Sequence, residues 1–102
     1  MGKAEHAIEA TVCKYATEQK FLVRKYSSIG VMGAPDRILF GHGQAFLMEF
    51  KSPIGRLSPS QVREIERIRD HGCKVFVVDN IEYGKSVIDG AVITGGKTGY
   101  EK

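Results

Sequence analysis

Apolar and polar positions alternate most clearly over residues 45–51, AFLMEFK. Successive side chains of an extended strand point to opposite faces, so Phe46, Met48 and Phe50 share one side and Leu47, Glu49 and Lys51 the other. The first side reads as core. On the second, an acid and a base stand together at the end of an otherwise apolar strand, a costly placement unless something uses them. Upstream, residues 3–19 carry Ala4, Ile8, Val12, Tyr15 and Ala16 at helical spacing, and FLVRKYSS (21–28) then reads as a strand. IGVMGAP is a glycine-rich loop. DRILF (36–40) and 45–51 are two strands around GHGQ, which has the shortness and glycines of a hairpin turn.

SPSQ opens the second helix: Ser58 suits the N-cap, Pro59 the first helical position, and Gln61 completes a capping box. Val62, Ile65 and Ile68 form the predicted buried stripe and Gly72 ends the helix. KVFVVD (74–79) is a strand expected to run parallel to 45–51, because a helix connects them. Residues 81–89 form a short last helix, and TGGKTGYEK (94–102) reads as a loosely ordered tail. The order is α-β-β-β-α-β, an α/β domain with a mixed sheet flanked by helices. Its core spans about 5–93 of a single domain covering 1–102.

If His42 and Gly43 form a two-residue turn, Gly41 faces Gln44, and counting outward places Asp36 opposite Glu49. Directly opposed residues have Cβ atoms about 4.5–5.5 Å apart on one face, so two carboxylates meet there. They repel unless a cation sits between them. Carboxylate oxygens with room for water and phosphate describe a magnesium site, and Lys51, two residues beyond Glu49, stands beside it. It can hold or deprotonate an attacking water, or steady charge developing on phosphate. On a helical wheel centred on Ile8, Glu5 falls near 60°, inside the apolar arc, and Glu9 near 100°, at its edge. Glu5 is therefore expected to face inward and to meet the same metal.

Composition narrows the classes without choosing one. Fifteen Lys and Arg against 12 Asp and Glu, with a net charge of +3, lean mildly toward a polyanionic partner. Cys13 and Cys73 form no CxxC or Cys/His cluster; both read as small core residues of a protein in a reducing cytoplasm, with no disulfide or zinc framework. No apolar run approaches the ~20 residues of a membrane helix, and the N-terminus lacks a secretion-signal pattern.

Glu5, then PD at 35–36, EFK at 49–51 and GRLSPSQ at 55–61 resemble the PD-(D/E)xK nuclease superfamily, and more narrowly the virus-type replication-repair nuclease (VRR-NUC) domain. The similarity covers roughly residues 5–80. It implies a restriction-endonuclease-like fold and divalent-metal-dependent hydrolysis of DNA phosphodiesters with Mg2+ or Mn2+. Carried over residue by residue, it makes Asp36 and Glu49 metal ligands, the Phe50 carbonyl a backbone ligand, and Lys51 the residue that positions or activates water. Glu5 matches the family's N-terminal acid and Gln61 its helix-start glutamine. Stand-alone members work as dimers on four-way junctions, which implies a homodimer cutting Holliday-type or other branched DNA; the apolar residues of 75–93, Val75, Val77, Val87, Ile88, Val92 and Ile93, are the expected dimer surface.

Plainer readings stand beside these. Asp36 and Glu49 could bracket Lys51 in a solvated ion pair, Glu5 could be a first-turn acid favoured by the helix dipole, and a capping box alone accounts for Gln61. Arg63, Glu64, Glu66, Arg67 and Asp70 read as a solvated mixed-charge face. Lys20, Arg24, Lys25, Arg37 and Arg56 are the candidates for phosphate contacts, and His6, His42 and His71 lack ligand spacing. The alternatives to a junction-cutting dimer are a monomeric flap or structure-selective nuclease and a non-catalytic nucleic-acid-binding domain.

Overall fold

The computed structural model describes residues 2–95. Helix α1 (Lys3–Glu18) leads into β1 (Leu22–Lys25), β2 (Arg37–Gly41) and β3 (Gln44–Phe50); α2 (Pro59–Asp70), β4 (Val75–Val78) and α3 (Ile81–Thr94) follow. The four strands form one sheet in the order β1-β2-β3-β4, antiparallel except for the parallel β3–β4 pair. A helical crossover between β3 and β4 is what the parallel pairing requires.

The hairpin register follows from its turn. His42 and Gly43 have φ of 52° and 77°, the left-handed pair of a two-residue type I′ turn, whose twist matches that of the strands it joins. Gly41 accordingly pairs with Gln44 and Arg37 with Met48. Alternation along β3 then feeds two cores. Phe46, Met48 and Phe50 are buried with Ile8, Val12 and Ala16 of α1, Leu39 of β2 and Ile88 of α3. Leu47 is buried on the opposite face with Ile65 of α2 and Val75 of β4. Both faces of the central strand are thus covered, and no side chain of β3 past Ala45 reaches solvent freely.

The first strand is shorter than FLVRKYSS, because after Lys25 a single backbone bond, from the Tyr26 N–H to the Asp36 carbonyl at 3.0 Å, continues the ladder. Lys20 ends α1 in the left-handed region at φ 75°. Its N–H donates to Thr17 O and that of Phe21 to Ala16 O, a Schellman cap with Phe21 and Ala16 as its apolar contact. The last helix runs to Thr94 rather than stopping at residue 89, since Ile88 and Ala91 continue its buried stripe and Gly90 faces open space. Thr94 and Gly95 therefore belong to ordered structure, and the remainder of the expected tail lies outside the described residues.

Burial corrects four further expectations. Val62 is exposed, and Glu64 takes the inward position beside Ile65, its charge met by Arg67 at 2.9 Å; a helix face holds an acid inside when a guanidinium one turn away reaches it. Cys73 is exposed and Cys13 half-buried. Val75 and Ile88, expected on a dimer surface, are core residues, while Ile93 stands in solvent. Among the described residues, no helix is long and apolar enough to cross a membrane.

Candidate active site

Asp36 enters β2 with its backbone N–H donating to Met48 O at 3.1 Å, so the register carries it opposite Glu49. Its side chain does more than face the glutamate: Oδ2 accepts from the Phe50 N–H at 2.8 Å. That bond pins one carboxylate oxygen and leaves Oδ1 for other partners. Lys51 continues β3 by donating its N–H to Val78 O at 2.9 Å. The acid and the base are therefore presented by a central strand held on both sides.

Glu49 is 1% exposed. Its Oε2 accepts from Gln61 Nε2 at 3.1 Å and lies 3.7 Å from Lys51 Nζ. Its Oε1 is buried with no hydrogen-bond partner. Burial, then the neighbouring Asp36 carboxylate, pushes the Glu49 pKa up to about 7 against the pull of Lys51. Burial also raises that of Asp36, opposed by the Phe50 N–H, with Glu9 and Glu5 adding to the rise. Two desolvated, mutually repelling acids are what these shifts describe.

Gln61 closes the cap and also touches Glu49. Its Oε1 accepts from the Ser58 N–H at 2.9 Å and closes the capping box, while Nε2 reaches Glu49. The bond that starts α2 fixes the rotamer that orients the glutamate.

The N-terminal acids rank differently from the helical wheel. Glu9 is the more buried, at 6% exposure, with Oε2 2.6 Å from Arg37 Nε; Glu5 is half-buried. A wheel counts angle alone, whereas Arg37, on the α1 face of β2, stabilises an acid at the edge of the arc. Glu5 is in none of the ion pairs among the described residues, yet its charge is felt at both Asp36 and Glu49.

The basic residues scatter. Lys25, with Glu9, Tyr26, Pro35 and Asp36, lines an open cleft of about 270 Å³ beside the acids. Arg24 donates to the Val23 carbonyl, Arg37 is committed to Glu9, and Arg56 is exposed in the loop after β3. Lys20 precedes β1 at the hairpin end of the sheet, away from the acids, since Leu22 pairs with Phe40, and its backbone caps α1. Sequence reading missed Gly33. A Cβ there would lie 2.5 Å from the Ser60 backbone, so the loop before Asp36 rests directly on the first turn of α2. The glycine in VMGAP was the available signal.

Among the described residues, no three side chains of His, Cys, Asp or Glu gather as a metal cluster. What the site offers is two carboxylates with an unpartnered buried oxygen. That donor set fits a hard divalent cation completed by a backbone carbonyl and water.

The family model of the VRR-NUC domain matches residues 2–80. The chain belongs to the VRR-NUC domain family. A solved structure titled "VRR_NUC domain" is similar at 30% identity and a TM-score of 0.78, covering 86% of this chain and 97% of that one. No curated protein matches. This VRR-NUC domain is thus a nuclease-type domain, for which DNA is the implied substrate, on a mixed four-stranded sheet flanked by helices.

Proposed function

We propose that this VRR-NUC domain hydrolyses DNA phosphodiester bonds with a divalent ion, Mg2+ or Mn2+, held by Asp36, Glu49 and the Phe50 carbonyl, with Glu5 alongside. The observation that carries the reading is the buried, unpartnered Glu49 Oε1 beside a second carboxylate. An unsatisfied buried oxygen costs about 1–3 kcal/mol, a cost a cation removes. When bound, the ion supplies positive charge that draws in the phosphate and offsets the charge building on its oxygens. Gln61 holds Glu49 in place. Lys51, its ammonium 3.7 Å from Glu49 Oε2, donates hydrogen bonds to the attacking water or a phosphate oxygen and stabilises the transition state. Lys25 and Arg56 stand where the flanking phosphate backbone passes.

One site makes one nick, and a two-fold pair presents two sites to a substrate of matching symmetry, so the proposed form is a homodimer that reads DNA shape and acts on four-way junctions and related branched DNA. Incubation of a junction and its linear duplex arms with magnesium, manganese or EDTA, paired with sedimentation at micromolar concentration, tests it. Metal-dependent cleavage favouring the junction, by a dimer, is expected. A clean monomer cutting both substrates equally removes the junction and dimer proposals; cleavage in EDTA removes the metal.

A further inference from the structure

Two turns at the acidic end of the sheet hold isoleucines out in water. In residues 28–31 the Val31 N–H donates to Ser28 O at 3.2 Å, with Gly30 at φ +80°. That is a type II turn with Ile29 at its first corner. In residues 52–55 the Gly55 N–H donates to Ser52 O at 2.9 Å, with Pro53 and Ile54 at the corners. Ile29 is 102% exposed and Ile54 92%. The first turn lies in the chain entering Asp36 and the second in the chain leaving Lys51, so both belong to the loops at the acidic end of the sheet. Gly33 ties the first loop to α2, into which the second loop runs.

Single exposed apolar residues are ordinary. Here two are fixed on hydrogen-bonded turns in the loops that adjoin one site, where each forgoes the stabilisation that burying an isoleucine yields. Their surroundings suit a polyanion: residues 26–35 carry no charged side chain, and residues 51–58 carry Lys51 and Arg56 with no acid. We infer that Ile29 and Ile54 are wedges that lie against the faces of unstacked bases at a DNA branch, so that the strand beside the opened step crosses the acids. Apolar side chains inserted at a base step do this elsewhere, unstacking the step and bending the helix. The inference rests on the nuclease reading and adds the feature of DNA that is recognised.

The test uses the whole chain, Ile29→Ser, Ile54→Ser and the double variant, with a four-way junction carrying 2-aminopurine at the branch. Calcium replaces magnesium for binding, and magnesium is used for cleavage. The wild type is expected to brighten the 2-aminopurine on binding, and each substitution to weaken junction binding roughly tenfold, with the brightening lost in the double variant and linear duplex affected less. A double variant that binds and brightens the junction as the wild type does overturns the wedges, while metal-dependent cleavage by the wild type leaves the nuclease reading standing. Equal losses on junction and duplex also overturn them, as does loss of a dimer in sedimentation, which assigns the isoleucines to a second copy. A wild type that neither binds nor cuts any DNA removes both readings together.

Discussion

At the hairpin end of the sheet the His42 ring donates to the Gln19 carbonyl at 2.7 Å and leans on Phe21 with ring centres 4.8 Å apart. An apolar cavity of about 230 Å³ between α3 and the sheet, with Phe46, Phe76 and Val87 in its walls, lies close by. At the other end Asp36 and Glu49 face each other, and a buried oxygen has no partner. The same three strands make both ends. Where they turn, the His42 hydrogen bond and ring contact lower the free energy of the fold; where they open, two acids are held by Gln61 and the Phe50 amide in an arrangement that raises it. Both ends are concave; the second adds a pair of opposed acids, and the proposed function follows those acids.

The comparison breaks if the acidic end proves structural. Glu49→Gln and Lys51→Ala should each slow single-turnover DNA cleavage by about a thousandfold or more, near 4 kcal/mol of barrier, with no loss of thermal stability. The mirror experiment is Phe46→Ala, expected to cost about 3–5 kcal/mol in urea unfolding. Its remaining folded fraction should cut at close to the normal rate in the cold, whereas a dead but folded Phe46→Ala would show that the two ends are not separable.

Stability against pH sharpens the contrast. Glu49 has a folded-state pKa of about 7 against an ordinary 4.5, so the metal-free folded protein holds more protons than the unfolded chain between those values. Its contribution is therefore fully present below pH 4.5 and is lost as pH rises through 7, by at most about 3 kcal/mol. Melting curves of wild type and Glu49→Gln without metal should diverge over that window, with the variant more stable at pH 8. Magnesium should restore the wild type there and leave the variant unmoved; parallel curves would mean that Glu49 is not strained.

Smaller effects separate the N-terminal acids. Glu9→Gln strips Arg37 of its partner and should cost about 1–2 kcal/mol of stability, read by urea unfolding. Glu5→Gln should leave stability nearly unchanged, slow cleavage by about tenfold and raise the metal concentration required. The reverse pattern would place Glu9 in the active centre. Least of all, Gly43→Ala, confined to the hairpin turn, should cost about 1 kcal/mol through its left-handed φ and change no rate.

What could be read in advance rested on short-range rules. The length of the His42–Gly43 turn dictates the hairpin register and hence the meeting of Asp36 with Glu49. Ser58, Pro59 and Gln61 are a cap whose bonds close within four residues, and alternation in AFLMEFK divides core from site. The spacing of PD, EFK and SPSQ carried the family resemblance because these segments surround one site.

The rest depended on partners that meet only in the folded chain. Glu9 is buried because Arg37, 28 residues on, crosses from β2 to α1; nothing within the helix announces it. Gln61 joins the cap to Glu49 because β3 and α2 converge there, and Gly33 matters because Ser60 lies against it. Lys20 stood among the candidate phosphate contacts, and the fold carries it to the hairpin end of the sheet, away from the acids. Local sequence specifies turns, caps and faces, since those bonds close within a few residues; which charge is neutralised, and which is left for a ligand, is decided by distant side chains brought together by packing.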